Sequence, residues 1–241
     1  MNNSIVAKDL SKSYGKKIAV EQMSLSLEAG EIVGLLGPNG AGKTTTFYMI
    51  IGLIIPDKGS ITFNGDNIGK LPVYERARLG ISYLPQEPSI FRKLSVRDNI
   101  RSVLEIQGLD RKYIDTKTED IIDEFNLREF AKRDGYSLSG GERRRTEIAR
   151  ALAIDPVFLL FDEPFAGIDP IAINDLKNML KYLKGKGLGI LITDHNVRDT
   201  LSITDRAYIV NNGKVLDEGV PEDIIKNSDV KKAYLGEEFR L

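Results

Sequence analysis

The sequence predicts an α/β fold, a mostly parallel sheet flanked by helices with a helical subdomain inserted into it. Three observations carry this reading. Short apolar runs alternate with stretches of helical period along most of the 241 residues, the order that builds a parallel sheet. A glycine-rich loop stands between one such run, residues 31–36, and a helix expected to begin near Lys43. From about residue 88 to residue 137 the strand signals give way to helical faces.

The elements follow in order. Residues 5–10, 17–20 and 23–27 read as short strands separated by turns, and 31–36 as a buried central strand. The helix from Lys43 ends near Gly52, with Pro56 beyond it. Strand 61–63 runs into Asn64-Gly65, a hairpin signal, and 81–84 is a further short strand. Ser95 and Asp98 make a capping pair, after which Val96, Ile100, Val103 and Leu104 keep helical spacing. Ile114, Thr118, Ile121, Ile122 and Phe125 form a second face. Beyond the insertion come a helix over 142–153, a strand over 157–161, a helix over 171–184 and a strand over 188–193. A hairpin turns at Asn212-Gly213 between strands 208–210 and 214–216, and Pro221 sits where a final helix can begin, in a C-terminal tail over about 221–241. No internal repeat, low-complexity run or long linker interrupts this order, so the chain reads as a single domain over residues 1–241.

Composition narrows the function. Lys and Arg number 34 against 35 Asp and Glu, so there is no basic footprint for wrapping nucleic acid. With no cysteine, disulfides and thiolate metal sites are excluded. The most apolar stretch, residues 49–55, is too short to span a bilayer and contains Gly52. The N-terminus lacks the charged start and long apolar run of a secretory signal. Any action at a membrane therefore needs a partner that does the spanning.

The chemistry begins at Gly37-Pro38-Asn39-Gly40-Ala41-Gly42-Lys43-Thr44, a complete G-x-x-x-x-G-K-[ST] phosphate loop. Its glycines let the backbone curl so that successive N–H groups point inward, and the next helix presents its N-terminus to phosphate. Lys43 reaches the β- and γ-phosphates, the Thr44 hydroxyl is a candidate Mg²⁺ ligand, and Thr45 follows in the same turn. These features predict ATP and Mg²⁺ as cofactors and a P-loop NTPase core. Strand 157–161 leads into Asp162-Glu163; the first carboxylate suits the metal shell, and the second suits the attacking water. Gln86 follows a short strand, where it can reach the metal or the water. His195 is the single histidine and stands at the carboxyl end of another strand, where such sheets bind ligands. Ser139-Gly140-Gly141 opens a helix and makes a second anion-binding end.

At Leu138-Ser139-Gly140-Gly141-Glu142 the chain resembles the ATP-binding-cassette ATPases, in which the pentapeptide ends in Gln. The order of phosphate loop, Gln86, signature, Asp162-Glu163, Asp169 and His195 is also similar, and the resemblance covers essentially the whole chain. It implies an antiparallel β subdomain at the N-terminus and the role of Tyr14 as the ring that stacks on adenine, although a tyrosine there also suits core packing. It also implies that Ala166-Gly167-Ile168-Asp169 crosses a dimer interface. Two head-to-tail copies would then share two nucleotides, the signature of one closing over the nucleotide of the other.

Within the family the chain is most similar to the ATPase subunits of lipopolysaccharide exporters of Gram-negative bacteria. The stretches carrying this are 84–95, 139–145, 163–170 and the tail 234–241. The implied partners are a second copy of the chain and integral permease subunits, with no nucleic acid and no direct lipid contact. The implied place is the cytoplasmic face of the inner membrane. Branched-chain amino-acid importers are the nearest alternative, although they typically carry Ala-Ala-Gly-Leu-Asn-Pro where this chain has Phe-Ala-Gly-Ile-Asp-Pro. A soluble nucleic-acid clamp is a further one; such relatives carry long coiled-coil insertions or two cassettes. Arg143-Arg144-Arg145 reads as a solvated face or a partner contact. Phe91, flanked by Arg92 and Lys93, reads as subdomain core or as the lining of a groove for a short permease helix.

Overall fold

The computed structural model describes residues 3–236. Two sheets organise the chain. The first is antiparallel, with β1 (Ser4–Tyr14) between β2 (Lys17–Glu28) and β4 (Lys58–Phe63), and the short β5 (Asp66–Asn67) beyond β4. Two separate strands were expected between residues 17 and 27, and the structure has one. The expected break is a bulge instead: Gln22 takes a left-handed φ of 52° and its N–H donates to Ser11 Oγ at 3.1 Å, so the ladder shifts register without ending.

The second sheet has six strands in the order β10-β9-β3-β8-β7-β6. They are β3 (Ile32–Leu36), β6 (Ile81–Leu84), β7 (Phe158–Asp162), β8 (Gly189–Asp194), β9 (Arg206–Asn211) and β10 (Lys214–Gly219). All neighbours pair in parallel except the terminal hairpin of β9 and β10. Helices cover both faces, so the central strands are buried on both sides and read as continuous apolar runs. The period of two still sorts them. Leu159 and Phe161 enter one apolar cluster, whereas Phe158 and Leu160 enter the other.

One face packs on α1 (Lys43–Ile51) and the antiparallel sheet, through Phe47, Ile50, Met23 and Leu25. The opposite face packs on α5 (Gly140–Leu152) and α6 (Pro170–Gly185), through Ile148, Leu176, Leu180 and Leu183. The inserted segment carries α3 (Val96–Glu105) and α4 (Arg111–Glu124), whose buried Ile100, Leu104, Ile121 and Ile122 extend that second cluster. Its two ends are laced together, Val96 N–H to Arg133 O at 2.9 Å and Gly135 N–H to Leu94 O at 2.9 Å.

Among the described residues, α2 (Val73–Arg78) and α7 (Val197–Leu201) have no counterpart in the sequence reading. Neither is long enough to display a helical period of its own. Behind the sheet, α8 (Pro221–Ile224) and α9 (Ser228–Val230) set Ile224 and Val230 against Leu36 and Ile209. Tyr234 and Leu235 pack on the same cluster, while residues 237–241 of the tail lie outside the described residues.

Candidate active site

Four parallel strands end side by side, and each delivers part of the site. Pairing aligns Leu84 with Phe161, Asp162 with Thr193 and Leu36 with Asp194. Gln86, Glu163, His195 and the loop from Gly37 therefore leave the sheet at one carboxyl edge, the position where open α/β sheets bind ligands.

The loop from Gly37 to Gly42 joins β3 to α1. A Cβ on Gly37 would lie 2.1 Å from the Val210 carbonyl oxygen, so only glycine fits where the loop passes β9. Lys43 opens α1, and its Nζ donates to the carbonyls of Gly37 at 2.7 Å and Pro38 at 3.1 Å. Burial lowers its pKa below the usual lysine value, while Glu163, Asp194 and Asp162 pull it back up. Asn39, Gly40, Gly42, Thr44 and Thr45 line a cleft of about 230 Å³ together with Tyr14 and Glu163. Pro38 is half-buried and Ala41 buried within the loop itself. Tyr14 is 49 % exposed, so it is not core, and its place on the wall of this cleft suits a ring that stacks on a base. Lys17 and Ala19 line the same wall, and nothing in the motif pattern singled them out.

Asp162 is buried at the end of β7 and accepts a hydrogen bond from the Thr193 hydroxyl at 2.7 Å. Burial raises its pKa, Thr193 lowers it, Glu163 raises it again, and Lys43 and Tyr48 lower it. Tyr48 lies four residues beyond Thr44 on α1, which places the two on one helix face. Glu163 has a left-handed φ of 45°, uncommon for a side-chain-bearing residue. Its N–H is held by the Thr193 carbonyl at 2.7 Å. Gln86 Nε2 donates to Glu163 Oε2 at 3.0 Å, and His195 Nδ1 lies 3.2 Å from the same oxygen. The structure thus gathers Gln86, Glu163 and His195 into one contact. A carboxylate so placed, next to a phosphate loop, can polarise a water molecule.

Ser139, Gly140, Gly141 and Asp169 are not among the residues that line the cleft. Ser139 caps α5 in a reciprocal box: its Oγ accepts the Glu142 N–H at 3.3 Å, and Glu142 Oε2 accepts the Ser139 N–H at 2.9 Å. That bond, more than the nearby Arg133 and Arg145, holds the Glu142 carboxyl below the usual range, which gives the departure from Gln a local reason. Asp169 caps α6 by accepting the N–H groups of Ile171 and Ala172, both at 3.0 Å.

Two expectations about the surface change. Arg144 does not belong to a solvated face. It turns inward over the Phe161 ring at 5.5 Å and bonds Pro85 O and Glu147, because α5 lies against the segment after β6. Phe91 is 49 % exposed with the Arg150 guanidinium 5.1 Å over its ring, so it is not subdomain core. A groove of about 670 Å³ runs between α2 and α3 and is lined by Tyr74, Leu79, Val103 and Ile106, without Phe91.

The ABC transporter family model matches residues 20–166. The chain is 56% identical over 238 residues to a probable ABC transporter ATP-binding protein of Azorhizobium caulinodans, covering 99% of this chain and 85% of that one. It is 52% identical over 238 residues to the lipopolysaccharide export system ATP-binding protein LptB of Escherichia coli strain K12, covering 98% and 99% of the two. Among solved structures, the ADP conformation of an ATP-binding cassette of an ABC transporter superposes with a TM-score of 0.87 at 27% identity, covering 98% of this chain and 100% of that one.

Proposed function

The chain belongs to the ATP-binding subunits of the ABC transporter family, which are ATPases, and on that premise we propose that it powers lipopolysaccharide export from the inner membrane toward the outer membrane. The export reading rests on the 52% identity over nearly both full lengths with a protein of that name. The importer and nucleic-acid readings are not favoured beside it. No helix among the described residues is long and apolar enough to cross a membrane, so in this reading permease subunits do the spanning. The exposed Phe91 and the groove between α2 and α3 offer those subunits an apolar footing at the cytoplasmic face of the inner membrane.

For hydrolysis, the supporting observation is the meeting of Gln86 and His195 on one Glu163 oxygen beside Lys43 and the phosphate loop. Glu163 accepts the proton of the attacking water. Gln86 and His195 hold its carboxylate in aim, and Lys43 holds the phosphates. Mg²⁺ fits these residues: such sites use one or two carboxylates and leave the other positions to phosphate and water, so the buried Asp162 with Thr44 and Gln86 suffices. The ion would neutralise charge developing on the phosphate oxygens. Because the signature and Asp169 lie off the cleft of their own chain, the complete site is that of a head-to-tail pair.

The test measures binding, turnover and association separately. Glu163→Gln keeps ATP affinity, loses about 10²–10⁴-fold in turnover as expected for a general base, and sediments as a dimer only with ATP. Turnover near wild type, or a monomer at saturating ATP, sinks the reading. Export is tested by asking whether depletion of the chain leaves lipopolysaccharide at the inner membrane, and whether inner-membrane permease subunits co-purify with it.

A further inference from the structure

Asp194 is a carboxylate that the hydrolytic scheme leaves without a task. It ends β8 with no exposed surface, directly before His195. Its two oxygens are both committed to backbone: Oδ2 accepts the N–H of Phe165 at 2.9 Å, and Oδ1 accepts the N–H of Asn196 at 2.7 Å. Phe165 lies two residues beyond Glu163, and Asn196 directly follows His195. The same carboxylate therefore joins two loops that leave different strands.

We propose that Asp194 is a positioning residue for ATP hydrolysis, holding the turn that carries Glu163 in register with the loop that carries His195. The turn needs such a hold. Glu163 has a left-handed φ of 45°, a conformation that persists where the surroundings over-determine it. The surroundings here are the Thr193 carbonyl on the Glu163 N–H at 2.7 Å, the Glu163 carbonyl on the Ala166 N–H at 3.2 Å, and Asp194 on Phe165 between them. The first two are bonds of backbone to backbone; Thr193 Oγ1 adds a longer side-chain acceptor to the Glu163 N–H at 3.4 Å, and Asp194 is the side chain that fixes the turn at Phe165. Phe165 is itself buried, so its N–H has no water to turn to if the carboxylate is lost.

A carboxylate is the suitable group because it accepts at both oxygens and donates at neither. An amide of the same shape accepts at one oxygen and brings an NH₂ group against the other N–H. Asp194→Asn therefore releases one of the two loops while preserving volume. Either release moves Glu163 relative to His195, which now meet at 3.2 Å. Misplacement by about 1 Å costs on the order of 10²-fold in rate. Nucleotide binding rests on other elements, the phosphate loop and the Tyr14 wall, and is left in place.

The inference rests on Glu163 being the base, so Glu163→Gln is assayed in parallel on the purified full chain. Asp194→Asn is expected to lower kcat roughly 10–100-fold with the KM for ATP and the affinity for a fluorescent ATP analogue weakened no more than about threefold. Wild-type kcat in Asp194→Asn, with Glu163→Gln inactive, overturns this inference alone. Wild-type kcat in Glu163→Gln overturns the underlying reading instead. Equal losses in kcat, nucleotide affinity and melting temperature make Asp194 a fold residue and also overturn it. If Asp194→Asn does not fold, Asp194→Ser, which accepts one N–H without opposing the other, is put through the same comparison. Failure of both to fold counts against the inference.

Discussion

Arg76 is where the structure makes its strongest demand on stability. It lies on α2 with 1 % of its surface exposed, and among the described residues no carboxylate faces it. Instead its guanidinium donates to four carbonyls: Met49 at 2.7 Å and Ile50 at 2.5 Å from Nη1, Leu71 at 2.9 Å from Nε, and Gly69 at 3.1 Å from Nη2. Met49 and Ile50 belong to the last turn of α1, so Arg76 caps the far end of the helix that begins at Lys43. Burial pushes the guanidinium pKa down from its ordinary value to about 10. Four charge-assisted bonds, at about 1.5–3 kcal/mol each, offset that burial. Arg76→Met removes the bonds and strands the acceptors, for which a loss of about 3–5 kcal/mol is expected, the scale of a broken buried charge site. At about 2–4 °C per kcal/mol for a chain of this size, melting falls by roughly 6–20 °C. Arg76→Lys keeps a charge but not the fork, and should fall between the two. Urea denaturation of the three chains measures the difference. A loss under about 1 kcal/mol in Arg76→Met would mean that water reaches these carbonyls and that the cap is dispensable.

Two further outcomes follow from the site and the surface. Asp162→Asn should melt higher than wild type without nucleotide at neutral pH, since the raised pKa of Asp162 means its ionised form is disfavoured by folding. That penalty is full above the folded pKa and fades as pH falls toward the ordinary value of 3.8, so the gap must narrow on acidification; a gap that widens refutes the assignment. Phe91→Ala should leave ATPase activity and melting of the isolated chain near wild type, because the ring is half exposed, while recovery of the membrane complex drops by about 2 kcal/mol of assembly or more. Full recovery of the complex removes Phe91 from the contact.

The parallel sheet was legible in the sequence because its central strands are buried on both faces and so leave unbroken apolar runs such as residues 158–161. The phosphate loop and Asp162-Glu163 stand out in the sequence because close backbone approach and, in the proposed reading, metal chemistry restrict residue type at fixed spacing. What escaped lacks such restriction. α7 is five residues long, shorter than two turns, and its start is fixed by the Asn196 side chain accepting the Asp199 N–H. The bulge at Gln22 replaces a turn through a hydrogen bond to Ser11 on another strand, and no local signal encodes that partner. Arg144 is indistinguishable in sequence from Arg143 and Arg145; only the side of α5 that meets Phe161 sets it apart. Asp194 carries no signal in the sequence because its meaning lies in two backbone N–H groups, which every sequence supplies.

The signature shows how a single chain points to a second one. Within its own chain the capping box explains Ser139 and Glu142, which satisfy each other's N–H groups. It does not explain Gly140 and Gly141. A Cβ on either would meet nothing within 4 Å, and neither has the left-handed φ that makes glycine the easy choice. Helix propensity argues against them, since each costs about 1 kcal/mol relative to alanine in a helix. Packing and backbone conformation in this chain therefore give no reason for two glycines at the start of α5. What they provide is a helix N-terminus with bare backbone N–H groups and no side chain in the way, a surface an anion can approach closely. The cleft of the same chain does not use it. A nucleotide held by another copy would supply the missing reason, and it would bring the outward-facing Ile171, 76 % exposed just beyond Asp169, under cover at the same time.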